Sequence, residues 1–315
     1  MRQIGRAEWI RRFGERLGTA GHRPPEPAVV WHGGAPLGAG DYGEVRSSRR
    51  DPGVAVKRIP LTTRPILEEE ILRQARLGNE FNEAGEHVGL MPPVQRAVTA
   101  PAAGTHLVDG YIEMPNLNRQ GYRTLGDLAA DPAVPEHYVA QVAAEDALNR
   151  AWSARAGILA NDHHPGNAMA LQPGLRSSRP DGERTQLIDA GMFGDAARIE
   201  EVLPGEGRKA SLRQQAENIA SGYIQLGDYD RAEQFVRAIS TELDVPQVSR
   251  GDLQLVTQLV DGALSDLATQ AATLDAPGWK AIREEALKRT SKTQKAHMAR
   301  LSNSNLALDR SAAQS

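Results

Sequence analysis

The stretch Gly157–Leu171 reads GILANDHHPGNAMAL. Asp162 and Asn167 stand five residues apart in a turn-rich segment, between apolar runs at 158–160 and 168–171. A carboxylate at such a place can accept a proton from a hydroxyl, and an amide oxygen at that offset can hold a magnesium ion. The His-His-Pro-Gly centre also reads as a plain turn. His163 and His164 are adjacent, so in an extended chain they point to opposite sides. No further His or Cys follows at ligand spacing, which argues against a zinc site.

Downstream comes QLIDAGMFG, Gln186–Gly194. Asp189 follows a short strand-like run and precedes Gly191, a position that suits a magnesium ligand and equally a simple turn. The intervening segment 171–184, LQPGLRSSRPDGER, reads as a polar loop. Upstream lies LGAGDYGEV, Leu37–Val45. Its glycines, Gly38, Gly40 and Gly43, permit a tight turn and leave backbone N–H groups able to approach phosphate oxygens. Val45 closes the pattern. In a chain with 30 glycines the same pattern fits an ordinary hairpin. A dinucleotide-binding turn should open a helix, whereas this one leads into VAVK, Val54–Lys57. There the alternation puts Lys57 on the face opposite Val56. Such a lysine can neutralise nucleotide phosphates, or simply end a strand at the surface.

The wider pattern predicts an α+β chain. Residues 2–18 read as an amphipathic helix with Ile4, Trp9, Ile10, Phe13 and Leu17 as its stripe. A Gly/Pro-rich linker completes a first segment, 1–30. Residues 31–115 carry strand-like runs at 54–61, 91–98 and 106–114. One helix interrupts them, starting at Pro65, with Ile66, Leu67, Ile71, Leu72 and Ala75 as its apolar face and Gly78 at its end. Residues 116–302 are mostly helical. They include a helix over 135–156 between Pro135 and Gly157, extended runs at 158–171 and 185–189, and four helices from 208 to 302 broken near Gly227, Pro246 and Pro277. Residues 303–315 read as a polar, flexible tail. A basic stretch, Lys288–Arg300, reads as a solvated face or a docking site for an acidic partner.

Bulk properties exclude several classes. At 315 residues and 40% hydrophobic content the chain can bury a real core. Aromatics are only 4%, so Leu, Val, Ile and Ala must build it. A net charge of -3 gives no general attraction to nucleic acid or an anionic membrane. The absence of Cys excludes disulfides and thiolate metal sites. No run of 18 apolar residues exists, so no transmembrane segment is expected. The basic N-terminus lacks an apolar core and is no classical signal peptide. A reducing compartment is compatible with the lack of Cys, as is a secreted protein that travels unfolded.

Taken in order, the elements are a Gly-rich loop, a strand Lys, a helix with acids, YIEMPNL, a helix, D-x-x-x-x-N and D-x-G, each once. This order resembles the protein-kinase family, over residues 31 to 194. The resemblance implies a bilobal fold with a small β-rich N-lobe (31–115) and a mostly helical C-lobe (116–302), and ATP and Mg2+ as cofactors. It implies that Gly38, Gly40, Gly43 and Val45 cover the phosphates and that Lys57 pairs with them. Glu68 would tether Lys57, with Glu70 and Glu80 as alternatives. Glu113 and Met114 would lie in a hinge contacting adenine. Asp162 would be the catalytic base, and Asn167 and Asp189 the metal ligands.

The chain departs from the family pattern at four places. H-R-D reads Ala160-Asn161-Asp162, the lysine two residues after the Asp is His164, D-F-G reads Asp189-Ala190-Gly191, and no A-P-E follows. The run N-D-x-H-P-G-N followed by L-I-D resembles the type III secretion effector kinases, virulence factors that often lack an activation segment, and the G-x-G-x-x-G-x-V and VAVK motifs favour that group. The D-x-H-P-G-N run resembles the aminoglycoside-type small-molecule phosphotransferases. The implied function is transfer of the ATP γ-phosphoryl group to a Ser or Thr hydroxyl of a host protein, with or without an activating partner. The alternatives are a small-molecule phosphotransferase and a pseudokinase acting as a binding module.

Overall fold

The computed structural model describes residues 34–40, 43–102, 105–180, 182–243 and 248–289. The expected helix at 2–18, its linker, the break near Pro246, most of the basic stretch and the polar tail lie outside these. The chain is α+β and divides into two compact units. One comprises 34–79 with Pro92–Gln120, the other Glu80–Met91 with 121–289. The sequence suggests a division at 115/116 instead, with 80–91 in the first unit.

The first unit is a five-stranded antiparallel sheet in the order β1-β2-β3-β5-β4. Its strands are β1 (Pro36–Gly40), β2 (Gly43–Ser47), β3 (Val54–Thr62), β4 (Arg96–Pro101) and β5 (Val108–Pro115). Alternation along β3 decides its two faces. Ala55 and Ile59 pack with Leu67, Ile71 and Ala75 of α1 (Arg64–Gly78), while Val56 packs with Tyr111 and Val98. Helix α1 begins one residue before Pro65, whose fixed φ and missing N–H suit a first turn. Of its expected apolar face, Leu67, Ile71 and Ala75 are buried, whereas Ile66 is exposed. In the run 91–98 only the last three residues are in a strand, because Pro92 and Pro93 have no N–H to give a ladder. Asn79 fixes that approach instead, its side chain bonding both the N–H and the C=O of Val94.

Gly110 on β5 shows how tightly α1 is seated. A Cβ built there would stand 2.3 Å and 2.6 Å from the two methyls of Leu67. Leu67 is fully buried and cannot swing aside. Gly110→Ala is therefore expected to destabilise the protein by about 1–3 kcal/mol through overpacking. Urea denaturation against wild type measures it.

The second unit is built around α3 (Glu136–Arg155). Before it come β6 (Tyr122–Thr124) and α2 (Leu125–Ala130). After it come β7 (Ile158–Leu159), β8 (Ala168–Leu171), β9 (Thr185–Leu187), β10 (Gly194–Asp195) and α4 (Ala196–Val202). Helices α5 (Glu206–Leu226), α6 (Tyr229–Leu243), α7 (Arg250–Thr273) and α8 (Ala276–Arg289) follow. Alanines at 140, 143, 144, 147, 151 and 154 of α3 are all fully buried. Small side chains let neighbouring helices approach closely, and a core of α3, α5, α6 and α7 forms around Ala144, Ala151, Ile219, Tyr223, Val260 and Leu267. Gly157 and Gly227 take the left-handed conformation just past α3 and α5, where helices commonly end. The break before α8 falls at Leu274–Asp275, with Pro277 inside its first turn. The segment Glu80–Met91 folds back through a Phe81–His87 bridge and joins this unit. The C=O of Leu90 accepts from the N–H of Leu187, and that of Gly89 from the buried Arg179 guanidinium. Among the described residues no helix is long and apolar enough to cross a membrane.

Candidate active site

In the first unit, Gly40 and Gly43 pair across the end of the β1–β2 hairpin. A Cβ at Gly43 would lie 2.6 Å from the carbonyl oxygen of Arg58 and 3.5 Å from Lys57 Cε. The backbone of β3 cannot retreat, so a side chain is excluded there. At Gly38 the space is open. Val45 pairs with Lys57 across β2 and β3 and packs against the sheet core.

Lys57 is 4% exposed, and its Nζ lies 2.8 Å from Glu70 Oε1. Glu70 is the buried partner; Glu68 and Glu80 are exposed. Helix phase explains this. Glu70 shares the packed face with Leu67, Ile71 and Gln74, while Glu68, two residues earlier, points away from it. Glu70→Gln is expected to lose about 1–3 kcal/mol of stability, since the amide removes the carboxylate charge 2.8 Å from the buried ammonium. Glu68→Gln, an exposed change, should stay within about 0.5 kcal/mol of wild type. Parallel thermal melts decide between them.

Glu113 and Met114 are not in a connecting segment. Both belong to β5, opposite Val56 and Ala55. The Glu113 carbonyl already accepts from Gln95 N–H, and Met114 is buried with Gln74 Nε2 against its sulfur. The strand continues through them because Glu113 is paired with both β3 and β4, and Met114 with Ala55 of β3.

In the second unit, the segment between β7 and β8 folds back on itself. Asn167 Nδ2 donates to the carbonyl of Asp162 at 2.9 Å, and Asn167 N–H donates to the carbonyl of His164. His164 Nδ1 accepts from Gly166 N–H at 3.0 Å. Asp162 is left exposed. Strands β8 and β9 pair Ala168 with Leu187, and Ile188 N–H donates to Asn167 C=O at 3.0 Å. Asn167 and Asp189 therefore emerge at the same end of one hairpin. Asp189 Oδ1 accepts from Gly191 N–H at 2.9 Å, which holds the carboxylate in an Asx turn. With its Nδ2 committed to Asp162, Asn167 offers its amide oxygen. An amide oxygen beside a carboxylate is a hard-donor pair that suits magnesium. Among the described residues no cluster of three or more His, Cys, Asp and Glu could hold a metal.

Beneath this loop lies a buried polar network that sequence reasoning missed. His163 Nε2 stands 3.1 Å from Asp146 Oδ2, off the line of a good hydrogen bond but within ion-pair reach when the imidazole is protonated. Arg150 Nε donates to the same oxygen at 3.2 Å, and its Nη1 donates to Asn218 Oδ1 of α5 at 2.7 Å. Burial raises the Asp146 pKa, but the adjoining His163 and Arg150 outweigh it and hold the carboxyl below its ordinary range. A signal did exist: Asp146 and Arg150 sit four apart inside an otherwise apolar, alanine-rich helix, where an unpaired charge would be costly. The loop is also held from α5, whose Gln214 Oε1 accepts from Ala160 N–H at 2.9 Å.

The chain after Asp189 is regular. Ala190 and Phe193 are buried, and β10 pairs with β7. The Asp195 carboxylate accepts from Ala197 N–H at the start of α4. The Glu200 carboxylate accepts from Gly205 and Gly207 N–H at the start of α5, which lowers its pKa. Ser211 donates its hydroxyl to Ala154 C=O at 2.6 Å. Compared with known proteins, the chain matches no protein-family model and no curated protein sequence.

Proposed function

We propose that this chain is an ATP- and Mg2+-dependent phosphotransferase with a protein-kinase-like fold, transferring the γ-phosphoryl group to a Ser or Thr hydroxyl of a protein. The observation that carries the reading is the buried Lys57–Glu70 pair, strand lysine to helix glutamate, beside a hairpin that admits only glycine at 43. An isolated buried ion pair adds little stability over apolar packing. Such a pair is a required part of protein-kinase sites, where it sets the lysine against nucleotide phosphates. The paired emergence of Asn167 and Asp189 from one hairpin supports the same reading.

In this mechanism Lys57 neutralises phosphate charge and the glycine hairpin offers backbone N–H groups. Asp189 and the Asn167 amide oxygen would hold a magnesium ion, which would supply charge neutralisation for the phosphoryl group. Asp162 orients the acceptor hydroxyl and takes its proton. Catalysis is then positioning and charge stabilisation. Incubation with labelled ATP and magnesium, with and without host-cell lysate, tests the reading. Label in protein bands supports it, label only in added aminoglycosides supports a small-molecule enzyme, and no nucleotide turnover in either arm rejects both.

The segment after Asp189 carries a second expectation. It contains no Ser, Thr or Tyr before Ser211, and the Ser211 hydroxyl is engaged with Ala154. Asp195 and Glu200 supply its fixed negative charges at helix starts. Phosphatase-treated protein should therefore show full activity from the first turnover. A lag that ends with phosphorylation at Ser211 or beyond would contradict this.

A further inference from the structure

Outside the residues given a role above, the buried imidazole of His163 stands out. Its side chain is 2% exposed and directly follows the exposed Asp162. The chain here is extended, with His164 at φ −142° and ψ 162°, so successive side chains alternate in direction. Asn161, Asp162 and His164 are exposed; His163 alone of the four turns inward. What it meets is Asp146 of α3, fully buried and anchored through Arg150 to Asn218 of α5.

We propose that His163 is a positioning residue: its attachment to Asp146 fixes the direction of Asp162 by pinning the neighbouring side chain to the rigid α3–α5 core. The catalytic part of this rests on the phosphotransferase reading; the tethering part does not. Apolar filling alone would not use an imidazole against a carboxylate already paired with an arginine. The partner atoms are also incompletely used, since Asp146 Oδ1 has no hydrogen-bond partner among the described residues.

The test compares His163→Gln with His163→Leu in the full chain. Glutamine keeps a polar N–H group in the imidazole's place beside Asp146; leucine keeps apolar volume and loses that polar contact. Hydrogen–deuterium exchange is read at the loop amides that are bonded in the structure, Ala160, Gly166 and Asn167. We expect leucine to speed their exchange by at least about tenfold, with glutamine near wild type, because the loop opens locally rather than with the whole protein. In the transfer assay leucine should lower kcat by about 10–100-fold with KM for ATP unchanged, as expected when a reacting group is displaced by about 1 Å. A packing role predicts the reverse order, because leucine is the better buried side chain. Leucine equal to wild type, or better protected than glutamine, overturns the proposal. Should wild-type protein turn over no ATP, the phosphotransferase reading and the catalytic part fail together, while the exchange order still decides the tether.

Discussion

Lys57→Ala and Asp189→Asn are each expected to reduce phosphoryl transfer by about 10²–10³, the effect typical of removing one transition-state contact, about 2.7–4 kcal/mol. The two act on different charges. Lys57 is a buried ammonium held by Glu70, so its removal takes away phosphate neutralisation. Asp189 is a half-buried carboxylate fixed by the Gly191 N–H. Its conversion to an amide keeps the shape and removes the charge that favours a divalent cation. Stability should respond differently as well. Asp189→Asn should melt close to wild type. Lys57→Ala leaves Glu70 buried without a partner and should melt lower, so its activity must be read well below its own melting temperature. Transfer at the wild-type rate by either folded variant removes the proposed centre.

The second large effect concerns stability. Asp146→Ala is expected to cost about 3–5 kcal/mol, because it strands the Arg150 guanidinium, 1% exposed, without its carboxylate. Denaturation in urea at neutral pH measures this, and a loss below about 1 kcal/mol would show the network to be slack. The same residue predicts a pH dependence. In the folded protein His163 and Arg150 hold the Asp146 pKa below its ordinary value of 3.8. A depressed carboxyl contributes stability that is fully present above the unfolded value and fades as pH falls through the lower folded value. The gap between wild type and Asp146→Asn should therefore hold at neutral pH and narrow below about pH 3.8.

Local signals account for much of the first unit. Alternation in VAVK, the φ of Pro65 and the spacing of Leu67, Ile71 and Ala75 are short-range, and β3 and α1 follow from them. The choice of Glu70 over Glu68 is different. Three consecutive glutamates carry no phase of their own; the face is set by where Leu67 meets Gly110 on β5, some forty residues on. Glu113 and Met114 were hard for a related reason. Whether a strand's last residues are ladder or connector depends on partners in β3 and β4. The hairpin that carries Asn167 and Asp189 was visible only as two short extended runs, since the intervening loop hides their pairing. The His163–Asp146–Arg150–Asn218 network joins a loop and two helices, and only folding makes those residues neighbours.

The passage of Glu80–Met91 into the second unit bears on how such a chain can be rearranged. The backbone crosses from one unit to the other after Asn79, before Pro92 and again after Gln120. Met91 is fully buried, and Leu90 and Gly89 supply the carbonyls that receive Leu187 and Arg179. A single recombination crossover therefore cannot exchange either unit as a cassette. A fragment cut from Gly121 onward would lose the carbonyls that receive the Leu187 N–H and Arg179 Nη1. The segment 80–91 must travel with the second unit in any such exchange.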